Sequence, residues 1–147
     1  MIRLLEGKKI GIDLGTTYTN VYVSGKGIVL SEPTIVAINT TTKTIEAIGA
    51  DAKEMVGKTP EFITVVRPMQ DGAIANYQLT YAMLKHFITR ALGRIAFLKP
   101  DVLVSVPSGI TGTERRAVVE ATIKAGAKNA FIVKEPILAA IGAGVPI

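Results

Sequence analysis

At 147 residues, 48% hydrophobic and 20% charged, the chain has the size and make-up of one folded domain with a real core, which excludes a disordered or collagen-like protein. It has no cysteine and a single histidine, His86, which excludes disulfides, thiolate metal sites and a histidine-rich metal site. Seventeen basic and twelve acidic residues leave a net charge of +5 without a dense basic run; solubility accounts for it, and attraction to anionic lipid, nucleic acid or nucleotide is the other reading.

The first nine residues lack a long apolar h-region, so no signal peptide is expected, and no stretch has the length of a membrane span. Apolar β-formers at Ile10, Ile12 and Leu14 lead into Gly15-Thr16-Thr17, and Val21, Tyr22 and Val23 lead out. This predicts a hairpin from strands 8–14 and 18–24. Gly25-Lys26-Gly27 is a second turn and Ile28–Leu30 a third strand, broken at Ser31-Glu32-Pro33. Short β-branched runs follow at 34–38 and 45–48, then a helical turn at 50–55. Residues 62–66 read as strand and 67–72 as loop.

Asn76 caps a predicted helix to Leu92, where Leu79, Met83, Phe87 and Ala91 recur every four residues. His86 falls beside that apolar face and reads as a packed or half-exposed residue rather than a catalyst. Val102–Val106 is an apolar strand, Thr111-x-x-Glu114 a capping box opening a helix to Ala125, and Ala130–Val133 another strand. Glu135-Pro136 opens a last helix. Strand, capped helix and strand make a βαβ unit, so these two strands should lie parallel and adjacent. The expected fold is α/β: a mixed sheet in which an antiparallel meander is extended by parallel βαβ strands.

Two motifs are decoys. Gly57-Lys58-Thr59 resembles the end of a Walker loop, but Ala52 stands where that loop needs glycine. Gly142-Ala-Gly144 ends a helix rather than opening one, so it is no dinucleotide fingerprint. The opening turn is the better candidate. Gly15 allows close backbone approach, and Thr16 and Thr17 add hydroxyls beside their amides. Asp13 would repel a phosphate, so its partner would be a hydrated Mg²⁺ or an attacking water. An ordinary Gly-Thr hairpin explains the same residues. Glu135, at a strand's C-terminal edge, could polarise water as a base or simply stabilise a helix's first turn.

Gly11-Ile-Asp-Leu-Gly-Thr-Thr17 resembles the first phosphate loop of the actin-like (ribonuclease H-like) ATPase superfamily. Gly25-Lys-Gly-Ile-Val-Leu-Ser-Glu-Pro33, Arg67-Pro-Met-Gln-Asp-Gly-Ala-Ile-Ala75, Val106-Pro-Ser-Gly-Ile-Thr111 and Lys134-Glu-Pro-Ile-Leu-Ala-Ala-Ile-Gly-Ala-Gly144 resemble, in order, its bacterial rod-shape branch, the MreB family. That resemblance implies an ATP- and Mg²⁺-dependent ATPase that is cytoplasmic and membrane-associated. It would self-associate into filaments and work with cell-wall synthesis proteins, without a nucleic-acid partner. It assigns phosphate binding to Gly15, Thr16, Thr17 and Tyr18, a water-mediated Mg²⁺ contact to Asp13, and activation of water to Glu135. It places a membrane-contact loop at Ile95–Leu98, with Phe97 and Leu98 inserting; burial of the same residues between helix and strand is the competing reading.

The family usually has Thr-Ala-Asn where this chain has Thr16-Thr17-Tyr18, and Glu-Glu-Pro where it has Lys134-Glu135-Pro136; Lys134 is expected to depress the pKa of Glu135. The resemblance divides the chain into a large core subdomain, 1–31 and 76–147, without the family's returning C-terminal helix, and a small inserted subdomain, 32–75. The family's second half is not matched. The chain stops directly after an apolar run, so it reads as cut rather than finished, and by itself it is expected not to hydrolyse ATP at a useful rate. A fragment that caps filaments of a full-length partner, and a chaperone-type ATPase domain of the same superfamily, are the alternatives.

Overall fold

The computed structural model describes residues 8–58, 60–70, 73–93 and 99–146. Its largest layer is a five-stranded mixed sheet in the order β10-β9-β1-β2-β3. The strands are β1 (Lys9–Leu14), β2 (Tyr18–Val23), β3 (Gly27–Pro33), β9 (Asp101–Val106) and β10 (Asn129–Lys134). β1, β2 and β3 form the expected antiparallel meander, and β9 runs parallel to both β1 and β10. The helix between β9 and β10, α3 (Gly112–Lys124), completes the βαβ unit. Its capping box is formed: the Thr111 hydroxyl accepts from Glu114 N at 3.2 Å, and Thr111 N donates to Glu114 Oε2 at 2.8 Å.

Side chains alternate across a strand, so register sorts the sheet into two faces. Aligned residues Ile132, Val104, Ile12, Val21 and Leu30 make one row, and Ala130, Val102, Ile10 and Val23 the next. These rows meet α3 and the long helix α2 (Tyr77–Leu92), and they form the main core with Met83, Leu84, Phe87, Ile88, Val118 and Ala121. Asn76 caps α2 as expected, its Oδ1 accepting from Leu79 N at 3.1 Å. The other face carries two different rows. Phe131, Leu103, Gly11, Tyr22 and Ile28 are apolar or glycine, while Val133, Ser105, Asp13, Asn20 and Ser31 are mostly polar.

A second sheet, in the order β5-β4-β6, is built from β4 (Val36–Asn39), β5 (Ile45–Ile48) and β6 (Ile63–Val66). Helix α1 (Ala50–Met55) packs against it. Ile35, Ala37 and Ala52 form a small separate core there. Two local readings are corrected. β3 does not break at Ser31-Glu32-Pro33 but continues through Pro33. β3 is the sheet's edge strand, where proline's missing N–H costs no ladder bond on the open side. Within the stretch expected as loop, β7 (Met69–Gln70) pairs with β8 (Ala73–Ile74). The last helix, α4 (Glu135–Gly142), follows β10 directly and buries none of its residues.

Between β3, α1 and α2 lies a polar link. Glu32 is only 6% exposed. Its Oε1 pairs with Arg90 of α2, and its Oε2 accepts from Ala50 N, the first residue of α1, at 3.1 Å. Glu32 thus caps α1 from another element, doing what Gly49 at the N-cap position cannot.

Candidate functional site

Asp13 is the last residue of β1 paired with β9, and Ser105 of β9 lies beside it in register. The Ser105 hydroxyl donates to Asp13 Oδ1 at 2.6 Å. On the other side, Asn20 of β2 faces Asp13, and its Nδ2 reaches Asp13 Oδ2 at 3.4 Å. Ser31 in turn donates to Asn20 Oδ1 at 2.8 Å. The polar row is therefore a chain of hydrogen bonds that fixes both oxygens of one carboxylate. Glu135 lies two residues beyond Val133, the partner of Ser105, and lines the same cleft as Asp13, Asn20 and Ser105. The cleft holds about 630 Å³, with Tyr22, Ile28 and Leu138 among its apolar walls. It sits at the C-terminal ends of the parallel strands, where open α/β sheets take their ligands.

Burial raises the Glu135 carboxyl above the usual carboxylate range, and the nearby charge of Asp13 adds to the shift. This corrects the expectation that Lys134 depresses it. Lys134 is exposed. It caps β10 with its side chain in water, whereas Glu135 turns into the cleft, so desolvation and a like charge decide the sign.

The turn between β1 and β2 is held from outside. A Cβ on Gly15 would lie 2.5 Å from the Tyr18 carbonyl oxygen, so the chain can fold back here only with glycine. The Thr16 carbonyl accepts from Arg67 Nη1 at 3.2 Å, and the Thr17 carbonyl from Thr34 N at 2.9 Å. In a trans peptide the C=O and N–H point in opposite directions. The amides of Thr17 and Tyr18 therefore point away from Arg67 and Thr34. Tyr18 is 44% exposed, with its hydroxyl 3.4 Å from Lys53 Nζ.

The structure thus brings Asp13 and Glu135 into one cleft. Gly15, Thr16, Thr17 and Tyr18 follow Asp13 in the turn but do not line that cleft; Thr17 and Tyr18 line a second one, toward the small sheet. Phe97 and Leu98 lie outside the described residues. Ser105, Asn20 and Ser31, which orient Asp13, are not among the candidates read from sequence. Ser105 had one signal, a lone hydroxyl inside the apolar run Val102–Val106. His86 is half-buried, as expected, and among the described residues its Nε2 has no hydrogen-bond partner; burial lowers its pKa, and Arg90 adds to that against the opposing charges of Glu32 and Asp51. Among the described residues no group of three or more His, Cys, Asp and Glu could cage a metal, and no helix is long and apolar enough to cross a membrane.

A meander continued by parallel βαβ strands, with a carboxylate at the end of the first strand and another after the last, defines the actin-like class. MreB5 of Spiroplasma citri bound to ADP is similar with a TM-score of 0.83 and 38% identity, over 95% of this chain and 41% of that one. A MamK double helical filament is similar with a TM-score of 0.78 at 19% identity, over 93% of this chain and 43% of that one, and shows the fold alone. The sequence is more specific than the fold. The family model for MreB/Mbl protein matches residues 7–147, and the chain belongs to the MreB/Mbl family. The cell shape-determining protein MreB of Escherichia coli K12 is 48% identical over 144 residues, 94% of this chain and 41% of the relative. The cell shape-determining protein Mbl of Bacillus subtilis 168 is 46% identical over 140 residues, 95% of this chain and 42% of the relative. The chain spans about two fifths of the length of the relatives it matches.

Proposed function

We propose that this chain supplies the first phosphate-binding wall of an ATP-dependent, filament-forming actin homologue acting in cell shape. The observation that carries the reading is the oriented Asp13 carboxylate beside Glu135, at a turn whose outward carbonyls are already bonded. Gly15 keeps the turn tight, and the amides of Thr17 and Tyr18, with the hydroxyls of Thr16 and Thr17, are the donors for a nucleotide's terminal phosphates. The relatives' names add support: one MreB5 neighbour is bound to ADP and another to AMPPNP, and the curated relatives are cell shape-determining proteins.

The residues fit a hydrated Mg²⁺. One or two carboxylates with room for water and phosphate oxygens suit this ion, which seldom takes an all-protein cage. When bound, Mg²⁺ would neutralise charge developing on the phosphates. Asp13 would hold its water shell, with Ser105 and Asn20 keeping the carboxylate aimed. Glu135, with its raised pKa, would take a proton from the attacking water. The reading divides the chain into a core of 1–31 with 76–147 and a small subdomain of 32–75; the separate cluster of Ile35, Ala37 and Ala52 supports it, while Met69, Ile48 and Ile74 of that stretch pack into the main core. The apolar row Phe131, Leu103, Tyr22 and Ile28 and the unburied α4 favour assembly with further polypeptide, which includes copies of the family. Membrane contact through Phe97 and Leu98 and work beside the wall-synthesis proteins rest on the family resemblance. Isothermal titration of Mg·ATP tests the reading: saturable binding weakened at least about tenfold by Asp13→Ala supports it, and binding indifferent to that change overturns it.

A further inference from the structure

A second cleft, of about 660 Å³, shares no lining residue with the one around Asp13. It opens between the outer side of the opening turn and the small sheet. Ile35 and Val65 belong to its apolar lining, with Val56 at the rim, 55% exposed. Its charged lining residues are both cations, Lys53 of α1 and Arg67 after β6. Among the described residues neither is in an ion pair; the one ion pair there is Arg90 with Glu32. Among the described residues β6 is moreover an edge strand, paired only with β4, with one ladder edge unpaired beside Val65.

We propose that this cleft docks an extended peptide segment in which apolar side chains alternate with carboxylates. A free strand edge suits an extended chain, whose side chains alternate in direction. The apolar lining takes the apolar residues, and Lys53 and Arg67 take the acidic ones. Arg67 presents a planar fork suited to a carboxylate, and a carboxylate is a stronger acceptor than the neutral Thr16 carbonyl that Arg67 now holds. Lys53 lies 6.0 Å from the centre of the Tyr18 ring and is likewise drawn off by an acidic partner. Docking would therefore release the turn from two of its outer supports. Resting on the phosphate-turn reading, it follows that peptide and nucleotide weaken each other's binding, by the same factor in each direction.

The test uses a fluorescein-labelled peptide of sequence Asp-Leu-Glu-Ile-Asp-Leu-Glu, with a Lys-for-acid version as control, read by fluorescence anisotropy. The acidic probe should bind saturably, and the charge reversals Lys53→Glu and Arg67→Glu together should weaken it at least about tenfold. Lys26→Glu, in the exposed turn before β3, should leave it unchanged. Circular dichroism confirms that each variant is folded, and Val65→Thr, which keeps the charges, should weaken the probe through the apolar lining alone. No binding of the acidic probe, equal binding of the basic probe, or an equal loss in Lys26→Glu overturns the proposal. So does sedimentation showing that the probe merely drives association of the chain with its own copies. Mg·ATP is then added. Peptide binding that stands while Mg·ATP neither binds nor competes refutes the phosphate reading and leaves the docking site; nucleotide binding without peptide binding does the reverse.

Discussion

Gly49→Ala should be among the most damaging single changes outside the main core, for two separable reasons. Gly49 has φ +66° and ψ −126°, a region that residues with a Cβ seldom enter, and forcing alanine there costs about 1–3 kcal/mol. The new Cβ would also overlap Glu32 Oε2 and lie 3.2 Å from Glu32 Cδ. Glu32 is buried and cannot swing into water without giving up Ala50 N and Arg90. Arg90 is 45% exposed, so solvent screens that pair, and loss of the two contacts adds about 1–2 kcal/mol rather than the full value of a buried pair. The sum is about 2–5 kcal/mol, a large share of the ~5–15 kcal/mol expected of a domain. Urea denaturation followed by circular dichroism should show the midpoint falling by roughly 1–2.5 M at a slope of about 2 kcal/mol/M. In a Glu32→Ala background the same substitution should cost only the backbone strain. A loss under about 1 kcal/mol, or the same loss in both backgrounds, would refute the reasoning.

Other outcomes follow from the caps and the titrating groups. Thr111→Ala removes the capping box of α3 and should cost about 1 kcal/mol by the same melt, whereas Thr113→Ala, one turn position on and exposed, should cost little. The lowered pKa of His86 means that its neutral form belongs to the fold; that stability is present above its ordinary value near about 6.5 and lost as pH falls through the folded value. The fall should be shallower in His86→Gln. Glu135 has the opposite sign: its raised pKa favours the fold at low pH, and that contribution is lost as pH rises through the folded value. Asp13→Asn should lower the Glu135 pKa in a carboxyl-carbon NMR titration, since one of its two causes is removed.

What could be read from sequence was local. The Thr111–Glu114 box, the Asn76 cap and the hairpin around Gly15 each depend on residues a few positions apart, so spacing alone identified them. The βαβ order of β9, α3 and β10 followed from the same logic. The extent of β3 did not, because proline is tolerated only where the strand is an edge, and edge position is set by the whole sheet. The aiming of Asp13 by Ser105 joins residues 92 apart, and the Glu32 link joins residues 58 and 18 apart; such pairs exist only once register is known. Lys134 misled for a related reason. Adjacency in sequence suggested a charge effect on Glu135, whereas burial and Asp13, both tertiary facts, decide it.

The central claim is that the opening turn holds phosphate through its own amides. Two-dimensional ¹H–¹⁵N NMR of the labelled chain, titrated with Mg·ATP, reads those amides individually. The account predicts that the largest shifts fall on Gly15, Thr16, Thr17 and Tyr18, saturate together, and vanish in Asp13→Ala. Saturable shifts that leave these four amides in place and fall elsewhere, or no shifts at millimolar nucleotide, would contradict it.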